Sequence, residues 1–258
     1  MSMISKTSIV LVAMLAVVMI APMITQAQAA KVLRAVQLAY ISQSAQTNIY
    51  KPVLDNRGDY VDMHGNINNL QAAKALAQST GACLGGSYFS LADMQKFAPT
   101  IKQNGGCEIG YDLESQYSPA SEMANPVASM TQAAQIAHSN GLLLFVDSSR
   151  ALTAQGNNAA EFAKVGDLYN LQTELLTDRP TDFANFVKKW TPIIKAAHPG
   201  IPVFAEVSTN RGTLAQMKQD TNAVISIVDG MDSWFGSSTL TQLQNYLNWY
   251  ENTYDLHQ

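Results

Sequence analysis

Short apolar runs alternate with amphipathic segments from about residue 33 to the end of the chain, and this alternation limits the fold more than any other feature. Strand candidates are Leu33 to Tyr40, Ala82 to Tyr88, Cys107 to Glu114, Leu142 to Asp147, Asp167 to Gln172, Pro202 to Ser208 and Gly230 to Phe235. A weaker run, Tyr60 to Met63, lies in an otherwise irregular stretch and brings the total to eight. Between the runs lie helices with recognisable starts. Asn125-Pro126 opens one, with Val127, Met130 and Ala134 on its apolar face, and Arg179-Pro180 opens another carrying Phe183, Phe186, Val187, Trp190 and Ile194. Ser90 caps a third, Thr213 begins a fourth, and Leu240, Leu243, Leu247 and Tyr250 mark the last. Repeated strand–helix units imply a parallel sheet with helices outside it. The expected fold class is α/β, a (β/α)8 TIM barrel in a single domain, with a doubly wound open sheet as second choice. No Gly-x-Gly-x-x-Gly follows the first strand and no phosphate loop occurs, which weakens the second choice.

The N-terminus reads as a targeting segment. Lys6 precedes an apolar run from Ile9 to Ile24 that only Pro22 breaks, and Ala27-Gln28-Ala29 has small residues where a signal peptidase reads them. The expected organisation is a signal peptide over 1–29 and a barrel domain over 30–258. A retained anchor competes, because the run is slightly shorter than a minimal span. The expected location is extracellular or in the cell envelope, with no stable membrane insertion after cleavage, as a monomer. Net charge is −4 with no basic cluster, so nucleic acid is not an expected partner. Cys83 and Cys107, the two cysteines of the chain, both stand at strand starts. A disulfide and two buried thiols are equally compatible with that placement. A structural zinc site is not expected, since His64, His138, His198 and His257 lack ligand spacing. Neither a metal nor any other cofactor is expected.

Barrel enzymes carry their chemistry at the carboxyl ends of the strands. Those ends supply Tyr88, then Asp112 and Glu114, then Asp147, then Tyr169, Asn170 and Gln172, then Glu206 and Ser208, then Asp232 and Trp234. Asp112 and Glu114 are one residue apart on a strand, so they share a face, with Glu108 and Gly110 beneath them. Two crowded carboxylates repel, and one should keep its proton at neutral pH. Acids, amides and aromatics in one mouth suit a carbohydrate ligand, whose hydroxyls meet polar groups and whose ring faces meet Trp and Tyr. No Lys or His stands at a strand end, which argues against a Schiff-base aldolase and against His-dependent acid–base or metal chemistry. Gly212-Thr213 and Gly236-Ser237-Ser238 precede helices, where phosphate binding and simple capping are the alternatives and capping is favoured.

Four short segments resemble family 18 glycoside hydrolases, the chitinases and related endo-glucosaminidases. Leu84-Gly85-Gly86-Ser87-Tyr88 is similar to their third-strand motif, and Tyr111-Asp112-Leu113-Glu114 to the end of their fourth. Tyr169-Asn170 and Gly230-Met231 with Trp234 are similar to their sixth and eighth. Cys107 and Gly110 depart from the acids of the fourth-strand motif, and Cys83 from the third-strand Ser. The chain is also similar to poorly characterised exported barrel proteins with Tyr-Asp-x-Glu on the fourth strand. The resemblance implies a hydrolase of N-acetylated amino-sugar glycans with Glu114 as general acid, Asp112 orienting the acetamido group and Tyr169 hydrogen-bonding it. It further implies substrate contacts from Trp234, Tyr88, Asn170, Gln172, Glu206 and Asp147. Glu206 is open to a second reading, as a buried residue paired with Arg211 or Gln172. The alternative for the whole chain is a carbohydrate-binding or cell-envelope protein without catalysis.

Overall fold

Side chains alternate across each strand, and in this chain the two faces differ sharply in chemistry. The structure, a computed structural model, describes residues 33–37, 48–52, 54, 59–64, 67–235 and 239–254. The expected signal segment lies outside the described residues. The strands are β1 (Leu33–Gln37), β2 (Tyr60–Asp62), β3 (Cys83–Gly85), β4 (Ser87–Tyr88), β5 (Glu108–Leu113), β6 (Leu143–Ser148), β7 (Leu168–Leu171), β8 (Val203–Ser208) and β9 (Gly230–Trp234).

All their pairings are parallel, in the order β3-β2-β1-β9-β8-β7-β6-β5-β4. The two ends of that order, β3 and β4, are consecutive in the chain and separated only by Gly86. Cys107 donates its N–H to the Leu84 carbonyl at 2.9 Å and Gly110 to the Gly86 carbonyl at 3.0 Å. Hydrogen bonding to β5 therefore continues across the interruption. The result is a mixed α/β fold with a barrel-like parallel sheet. Its strand order has none of the reversal that defines a doubly wound sheet.

Six longer helices pack outside the sheet: α1 (Leu70–Thr80), α2 (Leu91–Gln103), α4 (Pro126–Ser139), α7 (Pro180–Ala197), α8 (Leu214–Val224) and α9 (Leu240–Tyr254). Shorter ones are α3 (Ala120–Ala124), α5 (Arg150–Thr153) and α6 (Asn158–Ala163). Their starts follow the expected chemistry. The Ser90 hydroxyl accepts the Asp93 N–H at 3.1 Å, and Thr213 and Gln216 cap each other reciprocally. That reciprocal cap accounts for Thr213 without any anion, whereas Gly236 to Ser238 lie outside the described residues. Helix α1 corrects the irregular stretch of the sequence reading, because Leu70, Ala73, Leu76 and Ala77 are buried at helical spacing. On α4 the buried face runs through Met130, Ala133, Ala134 and Ala137, and Val127 is exposed instead.

Ile109, Tyr111, Leu113, Val146, Leu171 and Val207 join the large core shared with the helices. Phe145, Leu168 and Phe204, with Tyr60 against them, form a separate small cluster near the strand starts. This cluster plugs one end of the barrel interior. Above it the interior is polar, and two glycines make the room. A Cβ on Gly85 would lie 1.4 Å from a Glu108 carboxyl oxygen, and one on Gly110 would lie 1.9 Å from the Ser87 hydroxyl and 3.0 Å from its Cα.

A disulfide joins Cys83 to Cys107, whose Cα atoms are 5.7 Å apart. It ties β3 to the start of β5, beside the Gly86 interruption. Closing a loop of 24 residues restricts the unfolded chain by about 3 kcal/mol in the entropy model. Cys83→Ser with Cys107→Ser is expected to lose about that much in a urea titration. A midpoint unchanged from wild type would show that the bond adds nothing to the fold.

Candidate active site

The carboxyl ends of the strands surround a cavity of roughly 280 Å³ lined by His64, Phe89, Asp112, Glu114, Gln116, Tyr117, Asp147, Gln172, Glu174, Leu175, Glu206 and Trp234. Its floor is set by register: Asp112 is paired with Asp147, Asp147 with Asn170, and Glu206 with Asp232. Gln172 lies two residues beyond Asn170 on the same face. Its amide donates to Asp112 Oδ1 at 2.8 Å and to Asp147 Oδ1 at 3.2 Å. Beneath it, the Asn170 amide donates to Asp147 Oδ1 at 3.0 Å, Asp232 Oδ2 at 3.2 Å and Glu206 Oε2 at 3.3 Å. Neutral amides thus hold a stack of acids in place.

Asp62, Glu108, Asp112, Asp147, Glu206 and Asp232 are each at most 3% exposed. No Lys or Arg is among the described residues that line the cavity. Removing a carboxylate from water without a counter-charge favours its neutral form. Burial, reinforced by Asp147 and Glu114, pushes Asp112 well above the ordinary carboxylate range. Burial takes Asp147 to about 8 against the opposing hydrogen bond from Asn170. It takes Asp62 to about 6 although Ser87 hydrogen-bonds to it, and raises Glu206, which Glu174 and Asp232 push further. Glu114, at the rim, is raised by burial while Gln172 pulls it back. Glu174, also mainly by burial, is raised to about 7.

His64 Nε2 stands 3.2 Å from Asp112 Oδ2. Burial lowers His64 to about 4 and raises Asp112, so the contact joins a neutral imidazole and a protonated carboxyl. His64, Asp112 and Asp147 each offer one ligand atom within 4.8 Å of the others, an arrangement that could hold a metal ion. The outer rim is aromatic. Phe89 lies edge-on to His64 at 5.2 Å between centroids and packs on Tyr117 at 4.7 Å.

Asp112, Glu114, Asp147, Gln172, Glu206 and Trp234, all expected from the strand ends, line the cavity. Asn170 lies one layer below, as a support for the acids rather than a rim contact. Two expectations are corrected. Tyr169 is fully buried in the outer core, with its hydroxyl 3.4 Å from Thr153, because strand alternation turns it away from Asn170. Tyr88 stacks on Phe97 of α2 at 5.1 Å and is buried there. Glu206 hydrogen-bonds to Asn170 in place of Arg211 or Gln172. The sequence reading passed over His64, although Asp62-x-His64 has the same one-residue spacing as Asp112-x-Glu114 and begins at a strand end. It also passed over Glu174, Phe89 and Tyr117.

No family model and no curated protein matches this sequence. Solved structures do match it. Orotidine 5'-monophosphate decarboxylase from Methanocaldococcus jannaschii aligns at a TM-score of 0.51 and 10% identity, over 83% of this chain and 96% of that one. Deoxyribose phosphate aldolase from Aeropyrum pernix aligns at 0.54 and 13%, over 85% and 90%. The spore cortex-lytic enzyme SleL of Bacillus megaterium aligns at 0.56 and 8%, over 85% and 73%. Further matches include 3-keto-L-gulonate-6-phosphate decarboxylase and 3-hexulose-6-phosphate synthase. These likenesses establish a TIM-barrel-like fold.

They overturn the family 18 reading, since the similar structures named here are aldolases, decarboxylases and a synthase, with one cortex-lytic enzyme beside them. Glycan hydrolysis is corrected accordingly. The geometry agrees: Tyr169, the residue meant to hold the acetamido group, faces the helices.

Proposed function

We propose that this protein is an enzyme that makes or breaks a carbon–carbon bond next to a carbonyl group in a small hydroxylated substrate. One observation carries the reading: the carboxyls of Asp112 and Asp147 are held by Gln172 at the cavity floor, where burial favours their protonated form, with Glu114 at the rim above them. In the cleavage direction, Glu114 takes the proton from a hydroxyl two carbons from the carbonyl. The oxygen's electron pair forms a new C=O, the bond between the two carbons breaks, and its electrons pass to the original carbonyl oxygen. Asp112 gives that oxygen a proton, leaving an aldehyde and an enol. The absence of a lysine from the cavity lining gives the task of polarising the carbonyl to acids rather than to a Schiff base. Support from the matched aldolases and decarboxylases is of a general kind, since it comes from likeness of fold. Trp234, Phe89 and Tyr117 give the apolar rim that excludes water from such an intermediate.

The proposal includes a complete (β/α)8 barrel, supported by the return of the sheet across Gly86. It also includes export of residues 30–258 as a soluble monomer that binds no nucleic acid, supported by the disulfide and the leader-like N-terminus. The test is a panel of hydroxy-ketones, hydroxy-aldehydes and keto acids incubated in D2O and followed by NMR. Deuterium should enter the carbon beside the carbonyl, or an aldehyde should be released. A panel left unchanged by folded protein would remove the proposal.

A further inference from the structure

The carboxyl stack has an oxygen that its own hydrogen bonds do not explain. Asp147 is 1% exposed, its Oδ1 accepts from both Asn170 and Gln172, and its Oδ2 has no partner. Asp147 lines the cavity, as do Asp112 and His64. Asp112 is arranged in the same way, with Oδ1 taken by Gln172 and Oδ2 facing His64 Nε2. On Asp112 one oxygen is fixed by an amide and the other faces His64, and on Asp147 two amides take one oxygen and leave the other without a hydrogen-bond partner among the described residues. Metal-binding carboxylates are oriented by outer hydrogen bonds in this fashion.

We propose that His64, Asp112 and Asp147 together bind one divalent transition-metal cation, of the zinc or manganese class. The three ligand atoms lie within 4.8 Å of one another. Bonds of about 2.1 Å require each to move inward by less than about 1 Å. An imidazole beside two carboxylates suits zinc, iron or manganese better than calcium or magnesium, which prefer oxygen alone. Three protein ligands leave the remaining positions open toward the cavity, as in catalytic sites. The cation also supplies the positive charge that the cavity lining lacks. In the reaction proposed above a cation held there would take over from Asp112 the polarising of the substrate carbonyl oxygen, its ligand carboxyls then being ionised, and only that purpose rests on the earlier reading; the site itself does not.

The test uses the mature chain, stripped with EDTA and desalted, and needs no turnover. Titration with ZnCl2 by calorimetry and with MnCl2 by electron paramagnetic resonance should find one site, and either metal should raise the melting temperature. Asp147→Asn and His64→Gln should each weaken binding by about tenfold or more. Asp220→Asn, a buried acid on α8 outside the cavity lining, should bind as wild type does. Circular dichroism checks each fold, and His64→Gln decides the matter if Asp147→Asn does not fold. Wild type that binds neither metal up to about 1 mM would overturn the site, as would variants that bind as wild type does. Binding without carbonyl chemistry keeps the site and removes the reaction; turnover by folded protein that binds no metal does the reverse.

Discussion

The metal-free protein is expected to melt at its highest temperature near pH 4 and to lose at least about 5 °C by pH 8. This is the reverse of the usual carboxylate behaviour. Asp147 and Asp220 are raised to about 8, Glu174 to about 7 and Asp62 to about 6, in each case chiefly by burial. Their unfolded counterparts release protons near pH 4. Between these limits the folded chain binds more protons than the unfolded chain, so stability falls as pH rises. Each group contributes about 1.4 kcal/mol per pH unit until it ionises in the fold. His64 opposes the trend. Lowered to about 4 by burial, it contributes stability that is present above about 6.5 and lost as pH falls toward 4. One imidazole stands against several carboxyls, and the acids prevail. Scanning calorimetry in EDTA between pH 4 and 9 gives the answer, and a melting temperature that climbs toward pH 8 would show the acids to be ionised in the fold. Added zinc or manganese should flatten the curve at its alkaline end.

The second large effect is expected at Glu114. Glu114→Gln should lower turnover by about 10²–10⁴-fold, the usual contribution of a positioned acid–base group, with little change in KM. Substitution at Tyr169 gives the contrast: Tyr169→Phe removes a hydroxyl that faces Thr153 in the outer core, and should leave turnover near wild type. The deuterium-exchange assay reads both. Full activity in Glu114→Gln would move the proton-transfer role elsewhere, with Glu174 the next residue to try, as it also lines the cavity.

The two levels of the structure were unequally legible in the sequence. Strands could be read because each is an apolar run bounded by turn residues, and helices because Ser90, Thr213 and the Asn125-Pro126 and Arg179-Pro180 pairs announce their starts. Helix α1 escaped because its buried face is two leucines and two alanines, a weak signal, and no cap hydrogen bond marks its start. Within the site, residues two places apart on a strand were assigned correctly wherever parity was respected, as for Asp112 with Glu114. Placing Tyr169 and Asn170 in the same mouth broke that parity, since neighbours on a strand face opposite ways. His64 was lost for a different reason. Its strand is three residues long, too short for alternation to show. Motif likeness misled most, because it matched residue types without testing which face they occupy.

The helices touch only the outer face of the sheet, whereas the acids occupy the inner one. The residues that make this chain fold are therefore largely separate from those that would make it act. Replacing an inner acid together with its hydrogen-bond partner by apolar residues of the same shape can be nearly neutral or stabilising. Such a molecule is poised for evolutionary change: its interior can be rewritten for another reaction while its shell persists. The outline of this chain is similar to those of a decarboxylase, an aldolase and a cortex-lytic enzyme, each at 8–13% identity to it, and a shell kept apart from the interior accommodates such divergence.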